Sequence, residues 1–259
     1  NGTDGILLSG TTGESATLTE SEKGRLFKLG VEAAKGRISI IAGTGTNDTK
    51  STLKLSQIAR DAGVDALLVI TPYYNKPTQE GMFKHFTYIA KRVPLPLIIY
   101  NVPGRTGISI NPETVARLSK IKSIVGIKEA TGSMKQATEI FKLCSKDFDL
   151  LSGDDFTFLP FLSLGGKGVI SVSANIIPGK MHQLFTEFKS GNLEAARKIH
   201  NEIYDLHSAM FIETNPIPVK TSLGLMGKLD TEFKLPLCEM TPENLEKLKV
   251  VLKEYNLIK

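Results

Sequence analysis

One stretch of the chain reads Ile124-Val125-Gly126-Ile127-Lys128-Glu129-Ala130-Thr131-Gly132. Residues 124–128 are apolar or glycine up to the lysine, which predicts a short strand buried on both faces. Residues 129–132 predict the turn that leads from this strand into a helix. A lysine at the end of a buried strand is poorly hydrated, so its pKa falls and its free amine can form a Schiff base with a ketone. The alternative is a surface lysine at the end of a strand.

Similar apolar runs recur along the chain at spacings of about 20 to 30 residues, the length of one βα unit. They are residues 5–8, 38–42, 66–70, 95–100, 149–152 and 168–172. Strands that are apolar without alternation belong to parallel sheets covered by helices. Seven such units in succession predict an α/β fold of the (β/α)8 or TIM-barrel type rather than a doubly wound sheet. The glycine pattern in residues 42–47 lacks the third glycine of a dinucleotide-binding fingerprint.

Helical periodicity replaces the strand pattern beyond residue 178. The helical segments are residues 181–189, 193–210, 219–226 and 242–255, and Thr241-Pro242 marks the start of the last one. We therefore expect residues 1–178 to form βα units 2 to 8 of the barrel, and residues 179–259 to form the last barrel helix and a C-terminal helical extension. The first βα unit is expected to be absent from the chain.

The composition narrows the class of protein. The 259 residues are 41% hydrophobic and 23% charged, which suits one large globular domain. The net charge of +5 comes from scattered lysines, so we expect no nucleic-acid partner. Cys144 and Cys238 match no metal or redox spacing, and no signal peptide or membrane-spanning run is found. These features predict a cytoplasmic protein without a membrane partner.

Polar residues follow several of the predicted strands, where the active sites of barrels lie. Residues 9–15 combine hydroxyls with glycines, which suits either anion binding by backbone N–H groups or a helix N-cap. Tyr73 and Tyr74 lie in a proline-bounded loop, as interface contacts or as catalysts. Tyr100 can relay protons, and Arg105 can bind a carboxylate in a bidentate manner.

Six blocks of sequence together resemble the dihydrodipicolinate synthase family of pyruvate-dependent class I aldolases. The blocks are residues 10–14, 71–75, 100–107, 126–131, 152–155 and 168–172. The resemblance implies that the enzyme condenses pyruvate with aspartate semialdehyde in lysine biosynthesis. It also implies a homo-oligomer, a tetramer built from two dimers, with no metal and no organic cofactor.

The resemblance implies a role for each matched residue. Lys128 would form the Schiff base with pyruvate. Thr11, Tyr100 and Tyr74 would relay protons, with Tyr74 donated across a dimer interface. Four further residues would bind the substrates: Thr12 the pyruvate carboxylate, Arg105 the carboxylate of the semialdehyde, and Gly153 and Ile170 as the pocket lining.

An allosteric lysine site of the family is matched only in part. Ser15, Ala16, Asn47 and Tyr73 agree with the lysine-sensitive pattern. Glu20 and Lys23 stand where sensitive enzymes tend to carry histidines, and Ser51 stands where they carry a carboxylate. We therefore expect weak or absent feedback by lysine.

Two alternatives to this function remain open. One is another pyruvate aldolase of the same superfamily, such as a sialic acid lyase or a sugar-acid aldolase, which the turn with Arg105 disfavours. The other is a non-catalytic barrel that binds a metabolite. Lys128, Tyr100 and Thr11 are all intact, which argues against a decayed site.

Overall fold

A computed structural model describes residues 1–259. The chain divides into two compact units, which are described in turn. The first unit comprises Asp4–Gly10 and Leu18–Ile170, and the second comprises Asn1–Thr3, Thr11–Thr17 and Ser171–Lys259. None of the helices combines the length and the hydropathy that are needed to cross a membrane.

The first unit contains one parallel sheet of seven strands, as the apolar runs predict. The strands are β1 (Gly5–Leu8), β2 (Ser39–Gly43), β3 (Ala66–Ile70), β4 (Leu97–Asn101), β5 (Ile124–Glu129), β6 (Asp149–Ser152) and β7 (Gly168–Val169). They pair in chain order, from β1 to β7, with every neighbouring pair parallel. A doubly wound sheet reverses its strand order at a switch point. The observed order therefore confirms an α/β fold with a half-barrel of seven strands.

Helices connect these strands. They are α1 (Glu20–Ala34), α2 (Thr49–Asp61), α3 (Gln79–Ala90), α4 (Pro103–Thr106), α5 (Pro112–Leu118), α6 (Met134–Leu143) and α7 (Phe158–Ser163). Thr19 begins α1 with a capping box that it forms with Glu22. Asp48, Thr78 and Ser133 each accept a backbone N–H at the start of α2, α3 and α6. Because the caps fix where each helix begins, they also fix the length of the preceding loop.

Two hydrophobic clusters lie on opposite faces of the sheet. Leu97 and Ile99 of β4 belong to the larger cluster, together with buried residues of the helices. Ile98 and Tyr100 belong to a smaller cluster that is built from strand residues and their flanking loops. This alternation follows from the two-residue period of a strand. It places Tyr100 on the face that is not covered by the helices.

Some predicted strand bounds differ from the observed ones. Strand β4 begins at Leu97 rather than at residue 95, since Pro96 lacks the N–H that a ladder requires. Strand β7 ends at Val169, because the chain then turns into the short 3-10 helix Ser173–Asn175. The most consequential difference concerns Glu129, which is the last residue of β5 and not part of a turn.

The second unit is helical, as the periodicity beyond residue 178 predicts. Its helices are α8 (Pro178–Lys189), α9 (Leu193–Glu202), α10 (Tyr204–Ala209), α11 (Ile217–Leu225) and α12 (Pro242–Glu254). The prediction of one helix over 193–210 is wrong, since the backbone leaves the helical region at Ile203. Ile203 is buried, so the apolar period continues through this break and conceals it. Thr241 caps α12 by accepting the N–H of Asn244, which confirms the predicted start.

Candidate active site

Lys128 lies near the end of β5, and its side chain is almost fully enclosed by protein. The residue is 8% exposed. The pKa of its amine is lowered to about 8, chiefly by burial; the Asp155 carboxylate raises this pKa, and the Arg105 guanidinium lowers it. About a tenth of the amine is therefore unprotonated at pH 7, and this is the form that attacks a carbonyl.

Tyr100 faces Lys128 from the neighbouring strand. The two residues are register partners in the β4–β5 ladder, and the amine nitrogen of Lys128 lies 4.3 Å from the centre of the Tyr100 ring. Register partners on adjacent strands point to the same face of a sheet. The aromatic ring and the amine are therefore close, and a phenol on this face can in principle relay protons to a Schiff base.

Gly153 gives the Lys128 side chain the room that it occupies. A Cβ atom at residue 153 would lie 2.9 Å from Cε of Lys128 and 2.6 Å from Cβ of Ala130. The backbone N–H of Gly153 continues the ladder by donating to the carbonyl of Glu129 at 2.8 Å. Ile170 continues the next ladder, donating its N–H to the carbonyl of Ser152 at 2.9 Å, and it packs in the cluster that contains Tyr100.

Two acidic residues follow β6. The carboxylate of Asp154 accepts the N–H of Phe156 at 3.1 Å, and burial raises the pKa of Asp154. Asp155 is buried and raises the pKa of Lys128 by its charge. Asp155 was not among the residues predicted for the site. The sequence pattern that could have identified it is a pair of adjacent acidic residues directly after a barrel strand, where the active-site residues of barrel enzymes lie.

Arg105 lies in the short helix α4, which begins directly after the loop that follows β4. Pro103 occupies the first turn of α4, and Gly107 ends it with a φ of 70°. The side chain of Lys76 packs against Gly107, where an added Cβ would lie 3.2 Å from its Cε. Arg105 is exposed, yet its charge reaches Lys128. This position suits a group that binds the anionic end of a second substrate.

The loop after β3 presents Tyr74 to the solvent. Tyr74 is 88% exposed and has a φ of 68°, a conformation that costs energy for a residue with a side chain. The loop is held by Asn75, whose side-chain amide donates to the carbonyl of Asn47 at 2.9 Å. Tyr73 is also exposed. A strained backbone that projects a tyrosine away from its own chain is compatible with the predicted contact to a partner subunit.

Thr11 and Thr12 belong to the second unit. The carbonyl of Thr11 accepts the N–H of Glu14 at 3.1 Å in a turn that precedes the 3-10 helix Ser15–Thr17. The hydroxyl of Thr12 accepts the side-chain amide of Asn215 at 3.0 Å. Glu14 forms an ion pair of 2.6 Å with Lys220. These contacts fix the loop that carries both hydroxyls.

The residues of the partly matched allosteric pattern lie in several segments. Ser15 and Ala16 lie in the 3-10 helix Ser15–Thr17, and Asn47 holds the tyrosine loop through its carbonyl. Lys23 is buried in α1, and burial lowers the pKa of its amine. Glu20 forms an ion pair of 2.6 Å with Lys54.

A buried polar network, which was not predicted from the sequence, lies at the ends of β4 and β5. Glu129 is 1% exposed and accepts N–H groups of Asn101, Thr131 and Gln136. Burial raises the pKa of Glu129, and these hydrogen bonds act in the opposite direction. Elsewhere, no group of three or more His, Cys, Asp or Glu side chains is placed to hold a metal ion.

The chain is similar to a large set of known proteins. Residues 1–255 match the model of the Dihydrodipicolinate synthetase family. The 4-hydroxy-tetrahydrodipicolinate synthase of Syntrophus aciditrophicus is 52% identical over 258 residues, which cover 100% of this chain and 89% of that protein. The enzyme of the same name from Geobacter sulfurreducens is 54% identical over 258 residues, which also cover 100% of this chain and 89% of that protein.

A solved structure agrees with these relatives. The crystal structure of dihydrodipicolinate synthase from Aquifex aeolicus superposes with a TM-score of 0.98 at 48% identity. The superposition covers 99% of this chain and 88% of that one. Sequence and structure thus support the same assignment, and the chain belongs to the dihydrodipicolinate synthetase family.

Proposed function

We propose that the protein is a lyase that condenses pyruvate with L-aspartate 4-semialdehyde and forms 4-hydroxy-tetrahydrodipicolinate in lysine biosynthesis. The observation that carries this proposal is the enclosed Lys128, with a pKa of about 8 and the Tyr100 ring at 4.3 Å. Membership of the family and the names of the relatives support it.

The chemistry begins with a Schiff base. The unprotonated amine of Lys128 attacks the ketone carbon of pyruvate, and loss of water leaves a protonated imine. The imine withdraws electrons, so the methyl group loses a proton and an enamine forms. The enamine carbon attacks the aldehyde of the second substrate. The amine of that substrate then displaces Lys128, closing the ring and releasing the free lysine.

Each proton transfer needs a nearby acid or base. We assign these transfers to Tyr100, with Thr11 and Tyr74 completing the relay. Thr12 would bind the pyruvate carboxylate, and Arg105 would bind the carboxylate of the semialdehyde through its guanidinium fork.

The protonated imine is itself the electron sink, so we infer that the reaction uses neither a metal ion nor an organic cofactor. We also infer a homo-oligomer, a tetramer formed as a dimer of dimers, in the cytoplasm. The exposed Tyr74, which is held at a positive φ, supports the donation of this residue to a partner subunit. Ser15, Ala16, Asn47 and Tyr73 would form a degenerate lysine site.

The finer prediction for the fold is a complete (β/α)8 barrel. Strands β1 and β7 each pair on one side only, so one further strand between them would close a barrel of eight. In this proposal residues 1–178 supply units 2 to 8, and residues 179–259 supply the last barrel helix and a helical extension.

The test is to measure pyruvate consumption with aspartate semialdehyde or with N-acetylmannosamine as the acceptor, and Lys128→Ala serves as the control. Turnover with the semialdehyde alone is the expected result. Turnover with the sugar alone would replace the substrate assignment by that of a sialic acid lyase. Turnover with neither acceptor, by a protein that forms no pyruvate adduct, would favour a non-catalytic binding barrel.

A further inference from the structure

Two polar residues end the strands that carry the proposed catalytic pair. Asn101 is the last residue of β4, Glu129 is the last residue of β5, and the two are register partners. Each directly follows Tyr100 or Lys128 along its own strand. Successive side chains of a strand point to opposite faces, so this second pair lies on the other face of the sheet.

A hydrogen bond joins these two side chains across the strands. The amide nitrogen of Asn101 donates to Oε2 of Glu129 at 2.9 Å. Both residues are fully buried, at 0% and 1% exposed. A buried hydrogen bond to a carboxylate is short and strong, and either partner left alone would be a costly unpaired group.

Further hydrogen bonds orient both members of the pair. Oε1 of Glu129 accepts the backbone N–H of Thr131 at 2.7 Å, and Oε2 also accepts the side-chain amide of Gln136 at 3.2 Å. The amide oxygen of Asn101 accepts the backbone N–H of Ile110 at 3.2 Å. Hydrogen bonds from Asn101, Gln136 and both the backbone and the side chain of Thr131 hold the carboxylate in place, and each lowers the pKa that burial raises.

We propose that Glu129 is a positioning residue that locks the end of β5 to the end of β4 through Asn101, and thereby holds Lys128 beside Tyr100. This inference rests on the proposed function, since it concerns the same Schiff base. Glu129 acts through the backbone. An error of about 1 Å in the position of a reacting group can lower a rate about a hundredfold, so a lock at this point controls the rate.

The experiment separates the two side chains and then rejoins them with exchanged chemistry. In Glu129→Gln an amide faces the amide of Asn101, and in Asn101→Asp two carboxylates face each other. The double variant restores one donor and one acceptor, because the glutamine amide can donate to the new aspartate. Ser109→Ala is the matched control, since the Ser109 hydroxyl also accepts the Asn101 amide, at 3.2 Å, without joining β4 to β5.

Four quantities are measured for each variant: kcat, KM for pyruvate, the melting temperature, and the rate of borohydride trapping of pyruvate against pH. Each single variant is expected to lower kcat and the trapping rate by about 10- to 100-fold, with KM and the midpoint pH of trapping unchanged. The double variant should recover to within about threefold of the wild type, and Ser109→Ala should stay within that range. A loss of stability alone would not produce this pattern.

Three results would overturn the inference. The first is a kcat and a trapping rate equal to those of the wild type in the folded single variants. The second is a shift of the midpoint pH of trapping in the single variants without a lowered rate. The third is a folded double variant whose kcat and trapping rate are no higher than those of the single variants. If the single variants do not fold, kcat and the trapping rate of the folded double variant are compared with those of the wild type. Values within about threefold support the inference, and lower values overturn it. Absence of any pyruvate adduct on the wild-type protein would instead overturn the proposed function.

Discussion

The amine nitrogen of Lys128 lies 4.3 Å from the centre of the Tyr100 ring, across one rung of the β4–β5 ladder. A cation over an aromatic face is stabilised by about 0.5 to 2 kcal/mol, depending on its desolvation. The same face would stabilise the positive charge of a protonated imine at this nitrogen. In the proposed mechanism the ring would therefore stabilise the intermediate, and the phenol oxygen would transfer the protons.

Tyr100→Phe separates these two contributions of the tyrosine. The ring and its contact with Lys128 remain, but the hydroxyl is lost. We expect kcat to fall by about 10²- to 10⁴-fold, as is typical for the loss of a general acid or base, with little change in the melting temperature. Steady-state kinetics measure this. Tyr88→Phe, on the exposed surface, is the matched control, and equal activities of the two variants would remove Tyr100 from the relay.

The charges near Lys128 predict pH shifts of opposite sign. Burial lowers the pKa of Lys128, Asp155 raises it and Arg105 lowers it, and the resulting pKa is about 8. The trapping rate follows the unprotonated amine, so it should rise with pH through a midpoint near 8. Asp155→Asn should move the midpoint lower and Arg105→Met should move it higher, each by about one pH unit. Shifts in the same direction for both variants would refute this assignment.

Gly153→Ala tests the space around the lysine. The new Cβ would lie 2.9 Å from Cε of Lys128, so the side chain must move, and overpacking of this kind costs about 1 to 3 kcal/mol. We expect trapping to slow by about tenfold or more. At Gly168 an added Cβ meets its nearest atom, Cδ2 of Leu151, at 3.7 Å. Gly168→Ala should therefore trap pyruvate at the wild-type rate, and parity between the two variants would count against a steric role for Gly153.

The sequence was sufficient to predict the parallel strands, because buried strands leave continuous apolar runs that no other element explains at this spacing. Their ends were harder to predict. The sequence predicts a turn that begins at Glu129, because an acidic residue is rarely buried, yet the amides of Asn101 and Gln136 allow it to end the strand. The break at Ile203 left no mark, since no glycine or proline accompanies it.

For the candidate site, the apolar run that ends at Lys128 was sufficient to predict this residue as the reactive amine, because burial at the end of a strand lowers the pKa of an amine. Tyr100 could also be selected from the sequence, but its position opposite Lys128 follows only from the register of the β4–β5 ladder. The influence of Asp155 required the path of the loop after β6, which composition does not encode. The roles of Thr11, Thr12 and Tyr74 rested on the resemblance to the family and remain predictions.

Feedback by lysine is expected to be weak. By the resemblance to the family, the buried Lys23 stands where lysine-sensitive enzymes tend to carry a histidine, and Ser51 stands where they carry a carboxylate. We expect added lysine to change the rate by less than the roughly fivefold effect of typical allosteric coupling. The melting temperature should also be independent of lysine concentration, as it is for a compound that does not bind. Strong inhibition of the wild-type protein at low lysine concentration would contradict this prediction.

The most direct test of the proposed function is to identify the residue to which pyruvate attaches. The protein is incubated with pyruvate, reduced with borohydride, digested and mapped by mass spectrometry, with Lys128→Ala treated in parallel. We expect a reduced pyruvate adduct on the peptide that contains Lys128, and none on the variant. An adduct on another lysine, or undiminished labelling of Lys128→Ala, would contradict it.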